Sequence, residues 1–146
     1  MKFSYFAGMK RLPFIFLFLQ FFCACTNNNE APASENDVDA ARNFIQSALN
    51  GDYRKAKNYI VNDPVNIEYL DAFERNYQNR MLPDDKRGYR ESSINIHSVK
   101  PLNDSVSIIN YSNSYKKQND SLKVVKTGGK WLVDLKYSFS SLDKPF

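Results

Sequence analysis

The chain has 146 residues and a formal net charge of +4, with 42% hydrophobic residues, enough to build a core. Three basic residues, Lys2, Lys10 and Arg11, precede an apolar run; without them seventeen of the twenty basic residues face sixteen acidic ones. A net charge of +1 excludes the basic footprint of a nucleic-acid binder, and a single histidine argues against a zinc site, which wants three or four His, Cys or acidic ligands.

The apolar run itself extends from Leu12 to Phe22. At about 1.5 Å rise per residue it is too short to span a hydrocarbon core of about 30 Å. Basic residues before it and the small Ala24 after it are the parts of a secretory signal. The ending Phe22-Cys23-Ala24-Cys25 resembles the bacterial lipobox, which implies that residues 1–24 are a lipoprotein signal peptide. Cys25 then becomes a lipidated N-terminus that holds the chain on a membrane, two or more acyl chains sufficing for stable anchoring. Cys23 leaves with the signal, so no disulfide is expected in the mature chain. Met9-Lys10-Arg11 supplies a complete basic start by itself, and translation is expected to begin at Met9. In lipoproteins of enterobacteria Asp after the cysteine retains the chain in the inner membrane. Thr26 stands here, which favours an outer-membrane location in the cell envelope, on its periplasmic face.

Residues 25–36 are polar, contain Pro32 and lack an apolar period, which reads as a flexible tether. Residues 37–146, about 110 in number, suit a single domain. Asp37 is expected to cap a first helix whose apolar face carries Val38, Ala41, Phe44, Ile45, Ala48 and Leu49, stopped by Asn50-Gly51. Asp52 caps a second helix to about Val61, with Tyr53, Ala56, Tyr59 and Ile60 inward. Asp63-Pro64 opens a third helix to about Leu82, with Ile67, Leu70, Phe73, Tyr77 and Met81 as its stripe. A charged connection from Asp84 to Glu91 follows.

Four strand-like runs come next, at 92–100, 105–116, 121–127 and 130–138. The separating turns hold Asn103-Asp104, Asn119-Asp120 and Gly128-Gly129, residues that tolerate positive φ. Such short loops require antiparallel neighbours. In the last run Trp131, Val133, Leu135 and Tyr137 face one way, and Leu132, Asp134 and Lys136 the other. The expected fold is therefore α+β: three N-terminal helices packed on a curved four-stranded antiparallel meander.

The pattern Ala41-Arg-Asn-Phe44, Ala48-Leu-Asn-Gly51-Asp52 and Ala56, with the terminal Gly128-Gly-Lys-Trp-Leu-Val-Asp-Leu135, is similar to that of nuclear transport factor 2-like (ketosteroid isomerase-like) domains. More narrowly it resembles small bacterial lipoproteins of uncharacterised function with that cone-like fold. The resemblance spans most of residues 37–138 and implies that Trp131 packs toward the helices. Many members place a short strand between helices two and three, and the sequence offers no room for one at Asn62-Asp63.

A chemistry is harder to find. His97 has no carboxylate at a spacing that would orient it, so it reads as a strand-face residue rather than a general base. Asp134 is the one mid-strand carboxylate, and enzymes of the resembled fold use a pocket aspartate with tyrosine donors. Its side chain is expected opposite the helix face, paired with a lysine on a neighbouring strand. Lys86, Arg87 and Arg90 are offset by Asp84, Asp85 and Glu91. Gly128-Gly129 precedes a strand and is a turn, not a phosphate loop. Eight tyrosines remain outside residues 1–24. Of these Tyr59, Tyr77 and Tyr111, with Trp131, are the candidate lining of a pocket for a small amphipathic ligand.

The expected function is that of a non-enzymatic envelope lipoprotein, without cofactor or metal. It would bind a small ligand or another envelope protein through a cone pocket or sheet face, and a homodimer through the sheet is open to it. The alternative is a pocket enzyme of isomerase or dehydratase type using Asp134 with a tyrosine.

Overall fold

The computed structural model describes residues 32–140. The expected signal peptide, Cys25 and most of the expected tether lie outside the described residues. The chain enters α1 (Asp37–Leu49) through Asn36, which has an extended backbone and whose side-chain Oδ1 accepts the Asp39 amide at 2.9 Å. Asn36, not Asp37, is thus the cap; both residue types serve there, and Asp37 instead places its charge in the first turn, at the positive end of the helix dipole. One face of α1, with Ala40, Ala41, Phe44, Ile45 and Leu49, is buried. The helix stops at Gly51, whose φ of 75° suits glycine. The ring of Tyr77 lies where a side chain at residue 51 would stand.

Asp52 caps α2 (Tyr53–Ala56), accepting the Lys55 amide. The second helix is shorter than expected and passes into a 3₁₀ turn (Lys57–Tyr59). Ile60 then forms a parallel bridge to Val133, and the Val61 amide donates to the Val133 carbonyl. A short extended pairing does exist between the second and third helices, against the expectation. The run Tyr59-Ile60-Val61 suits either geometry, and the edge of a neighbouring strand supplies hydrogen bonds that favour the extended one.

Asp63 accepts the amides of Val65 and Asn66 to open α3 (Pro64–Asn79), with Pro64 in the first turn. That helix ends before Met81, and the expected charged connection is a helix of its own, α4 (Pro83–Arg90). Five helices therefore occur among the described residues, four before the sheet. No residue of α4 is buried, which leaves no apolar stripe to reveal it. Asp84 and Asp85 in its first turn, with Arg87 and Arg90 in its last, match the helix dipole.

The sheet is an antiparallel meander of β1 (Ile94–Asn103), β2 (Val106–Asn113), β3 (Asn119–Thr127) and β4 (Lys130–Asp134), in that order. Register shifts in β1 between Ile96 and Ser98, and between Pro101 and Asn103, bend this edge strand. Ile109, Leu122, Val124 and Val133 join α1 in one core. Gly128 and Gly129, at φ of 58° and 78°, make the two-residue turn expected before β4. Asn119 and Asp120, expected in a turn, are the first residues of β3; the reversal occurs over residues 114–118, where Lys117 takes a φ of 56°.

The last strand is shorter than expected. It ends at Asp134, and the chain continues as α5 (Leu135–Ser140). Fully buried Asn66 explains the break: its Oδ1 accepts the Leu135 amide at 2.7 Å, and its Nδ2 donates to Asp63 Oδ2 at 2.7 Å. Lys136 reinforces the anchor with an ion pair to Asp63 at 2.8 Å. These bonds draw the chain to the start of α3, so that it leaves the ladder with β3 at Asp134. Leu135 stays buried, whereas Tyr137 is 42% exposed. Beside the shortened β4, the Ser138 hydroxyl donates to the Ser121 carbonyl of β3.

Candidate functional site

A cleft of about 240 Å³ opens between α1, the C-terminal part of α3, α4 and the sheet. Helix α1 contributes Phe44, Ile45, Ala48 and Leu49, which follow from its apolar period. Phe73 and Tyr77 come from α3, Met81 from just beyond it, and Tyr89 from α4. The sheet closes the cleft with Tyr111 and Asn113 of β2 and Asp120 of β3. Tyr111 and Asp120 are direct cross-strand partners, so both point to the helix-covered face.

The polar end is built around this pair. The Tyr111 hydroxyl donates to Asp120 Oδ2 at 3.2 Å, while Asp120 Oδ1 accepts the Ser121 amide at 2.7 Å. Asn113 Oδ1 accepts the Lys116 amide at 2.8 Å. Burial, helped by the Asp120 charge, pushes the Tyr111 hydroxyl well above the ordinary tyrosine range. Burial likewise raises Tyr89, with Asp85 adding to the effect. These two hydroxyls therefore remain protonated donors at neutral pH and some way above it.

The rim is tied together by aromatic and charged contacts. Tyr77 meets Tyr53 edge to face at 5.7 Å, and Lys86 Nζ lies 5.2 Å from the Tyr77 ring centre. Arg90 donates to the Tyr77 hydroxyl at 3.4 Å. Tyr89 meets Tyr115 at 5.3 Å, and the Tyr115 hydroxyl donates to Asp85 at 2.6 Å. Lys116 Nζ stands 5.9 Å from the Tyr89 ring and 5.7 Å from that of Tyr115. Helix α4, which buries no residue of its own, is thus fastened over the cleft by Tyr115, Arg90 and Lys86.

Of the four candidate lining residues, Tyr77 and Tyr111 meet in this cleft. Tyr59 and Trp131 do not line it. Tyr59 is 3% exposed and sits in the core beneath the 3₁₀ turn. Trp131 faces the helices as expected, but lies near the β3–β4 turn, part-buried, with Lys126 Nζ 5.6 Å from its ring. Asp134 lies on the opposite face of the sheet, in ion pairs with Lys123 at 3.6 Å and Lys136 at 3.7 Å. Lys123 is its cross-strand partner, as the alternation of β4 implies. His97 is on that outer face too, 2.8 Å from the Ser112 hydroxyl. Arg87 pairs with Asp84 at 2.9 Å within α4. Cys25 lies outside the described residues. Among the described residues no group of three or more His, Cys, Asp or Glu side chains is placed to hold a metal ion.

The sequence reading missed Asp120. It stood inside a supposed turn, and its pairing with Tyr111 emerges only once the reversal is moved to residues 114–118. Tyr89 does stand in the lining, carried there by a helix that has no apolar stripe.

No family model matches the chain, and no curated protein matches it. A search of solved structures finds the crystal structure of an NTF-2 like protein of unknown function from Shewanella oneidensis MR-1. The two chains are 16% identical, with a TM-score of 0.48 over 66% of this chain and 89% of that one. This chain is similar to that NTF-2 like protein. The likeness is to a protein of unknown function, and no residue role is transferred from it. The α+β class stands on the helices and the four-stranded antiparallel sheet described above.

Proposed function

We propose that the protein is a non-enzymatic lipoprotein of the cell envelope, anchored through lipidated Cys25, whose domain binds a small amphipathic ligand in the cleft. The observation that carries this reading is the composition of the cleft. Aromatic and aliphatic walls end in a few convergent polar groups, the arrangement that binds and orients small molecules. At about 240 Å³ it lies below the roughly 300–1,000 Å³ of drug-sized sites, so the ligand is small: one ring or a short chain. The outer sheet face offers less to a protein partner or a second copy. Its polar groups satisfy one another, as in the Ser98, Asn110 and Ser121 hydrogen-bond row. The isomerase or dehydratase alternative finds no support in Asp134, whose ion pairs lie on the face away from the cleft.

The test uses the whole chain and 2-phenylethanol, a neutral probe with one ring and a two-carbon arm. Saturable shifts of the Tyr77 and Tyr111 ring resonances are expected, and Ala48→Leu, which narrows the cleft, should abolish them. Unmoved tyrosine resonances would overturn the cleft reading. For the anchor, mass spectrometry of the mature N-terminus should find lipid on Cys25, and Cys25→Ala should leave the chain unlipidated. A native chain retaining residues 1–24 without lipid would overturn that part.

A further inference from the structure

Asp120 is the one charged residue among the described residues that line the cleft. Each of its carboxylate oxygens accepts one hydrogen bond from the protein, from the Ser121 amide and from the Tyr111 hydroxyl. An ionised carboxylate has about four acceptor sites, so both oxygens keep capacity for a further donor. The Tyr111 bond, at 3.2 Å, is also longer than the roughly 2.5–2.7 Å of a strong hydroxyl–carboxylate bond, which leaves Oδ2 open to competition. Tyr111 directs its own proton to Asp120, and its oxygen lone pairs remain available as acceptors. The polar end of the cleft is therefore rich in acceptors.

The walls point the same way. Phe44, Phe73, Tyr77, Tyr89 and Tyr111 surround the cleft, and the face of an aromatic ring carries negative charge that attracts a cation. Basic groups do stand nearby. Lys86, Arg90 and Lys116 are at the rim, but each already meets a tyrosine ring or hydroxyl, and none lines the cleft. Lys86 also donates to the Gln78 carbonyl.

Resting on the cleft reading, we infer that the ligand is an amphiphile with a protonated amine as its head. Its apolar body lies against Phe44, Leu49 and Phe73, and its ammonium group donates to Asp120 and Tyr111. Carboxylate-headed molecules of the same shape are rejected, because the head would meet Asp120 like charge against like charge.

The experiment compares three probes with one body: 2-phenylethylamine, 2-phenylethanol and phenylacetate. Each is titrated into the full chain while the Tyr77 and Tyr111 ring resonances are followed. A hydrogen bond to a charged partner implies that the amine binds roughly tenfold more tightly than the alcohol; phenylacetate should bind more weakly than either. Asp120→Asn keeps the shape and removes the charge, and should bring amine and alcohol to within about twofold. Equal binding of amine and alcohol to the native chain, or an unchanged preference in Asp120→Asn, would overturn the inference while leaving the cleft reading intact. Tighter binding of phenylacetate would do the same. Failure of all three probes to move the tyrosines would overturn both.

Discussion

Replacing Asn66 with alanine should destabilise the domain by about 2–4 kcal/mol, although Asn66 lies in no cleft. Its side chain is fully buried, and its Oδ1 is the acceptor for the amide of Leu135, itself 1% exposed. Deleting the carboxamide leaves that buried N–H without an acceptor, at a cost of about 1–3 kcal/mol. A void of roughly 40 Å³ would add about 1 kcal/mol at ~24 cal/mol per Å³. The bond from Nδ2 to Asp63 goes as well. With about 4 °C per kcal/mol for a domain of this size, the midpoint of thermal unfolding should fall by about 8–16 °C. Hydrogen exchange gives an independent reading, since the Leu135 amide should lose its protection before the β2 and β3 amides do. A fall of under ~2 °C, or an unchanged Leu135 exchange rate, would refute the argument that Asn66 redirects the chain from β4 into α5.

The ion pair beside it makes a pH-dependent prediction. Hydrogen bonds from the Lys136 ammonium, then from the Asn66 amide, hold the Asp63 carboxyl down at about 2. A carboxyl depressed in the folded state adds stability above its ordinary value near 3.8 and loses it as the pH falls through about 2. Lys136→Ala should raise the Asp63 titration midpoint toward that ordinary value, and a carbon-detected NMR titration with no such rise would count against the pair. Trp131→Ala should cost about 1–2 kcal/mol rather than the ~3–5 kcal/mol of a fully buried ring, because Trp131 is only part-buried at the end of the sheet. Urea unfolding checks it, and a loss above ~3 kcal/mol would mean that the ring is sealed in the core.

Local chemistry alone settled much of this protein. The period of Ala41, Phe44, Ile45 and Leu49 fixed the buried face of α1, because a helix can hide only one stripe. Asp52, Asp63 with Pro64, Gly51 and Gly128-Gly129 marked their boundaries through capping and positive φ, which depend on neighbours in the chain. Alternation in β4 placed Asp134 away from the helices and opposite a lysine. Tertiary structure decided the rest. Helix α4 has no fully buried residue, so only its contacts through Tyr89 and Tyr115 show what it does. Ile60 became extended because Val133 offered a free edge. Leu135 left the sheet because Asn66, 69 positions away, captured its amide. The cleft belongs to this second group: Asp120 acquires its partner from the β2–β3 register, and no spacing along the chain brings it beside Tyr111 and under Tyr77 and Tyr89.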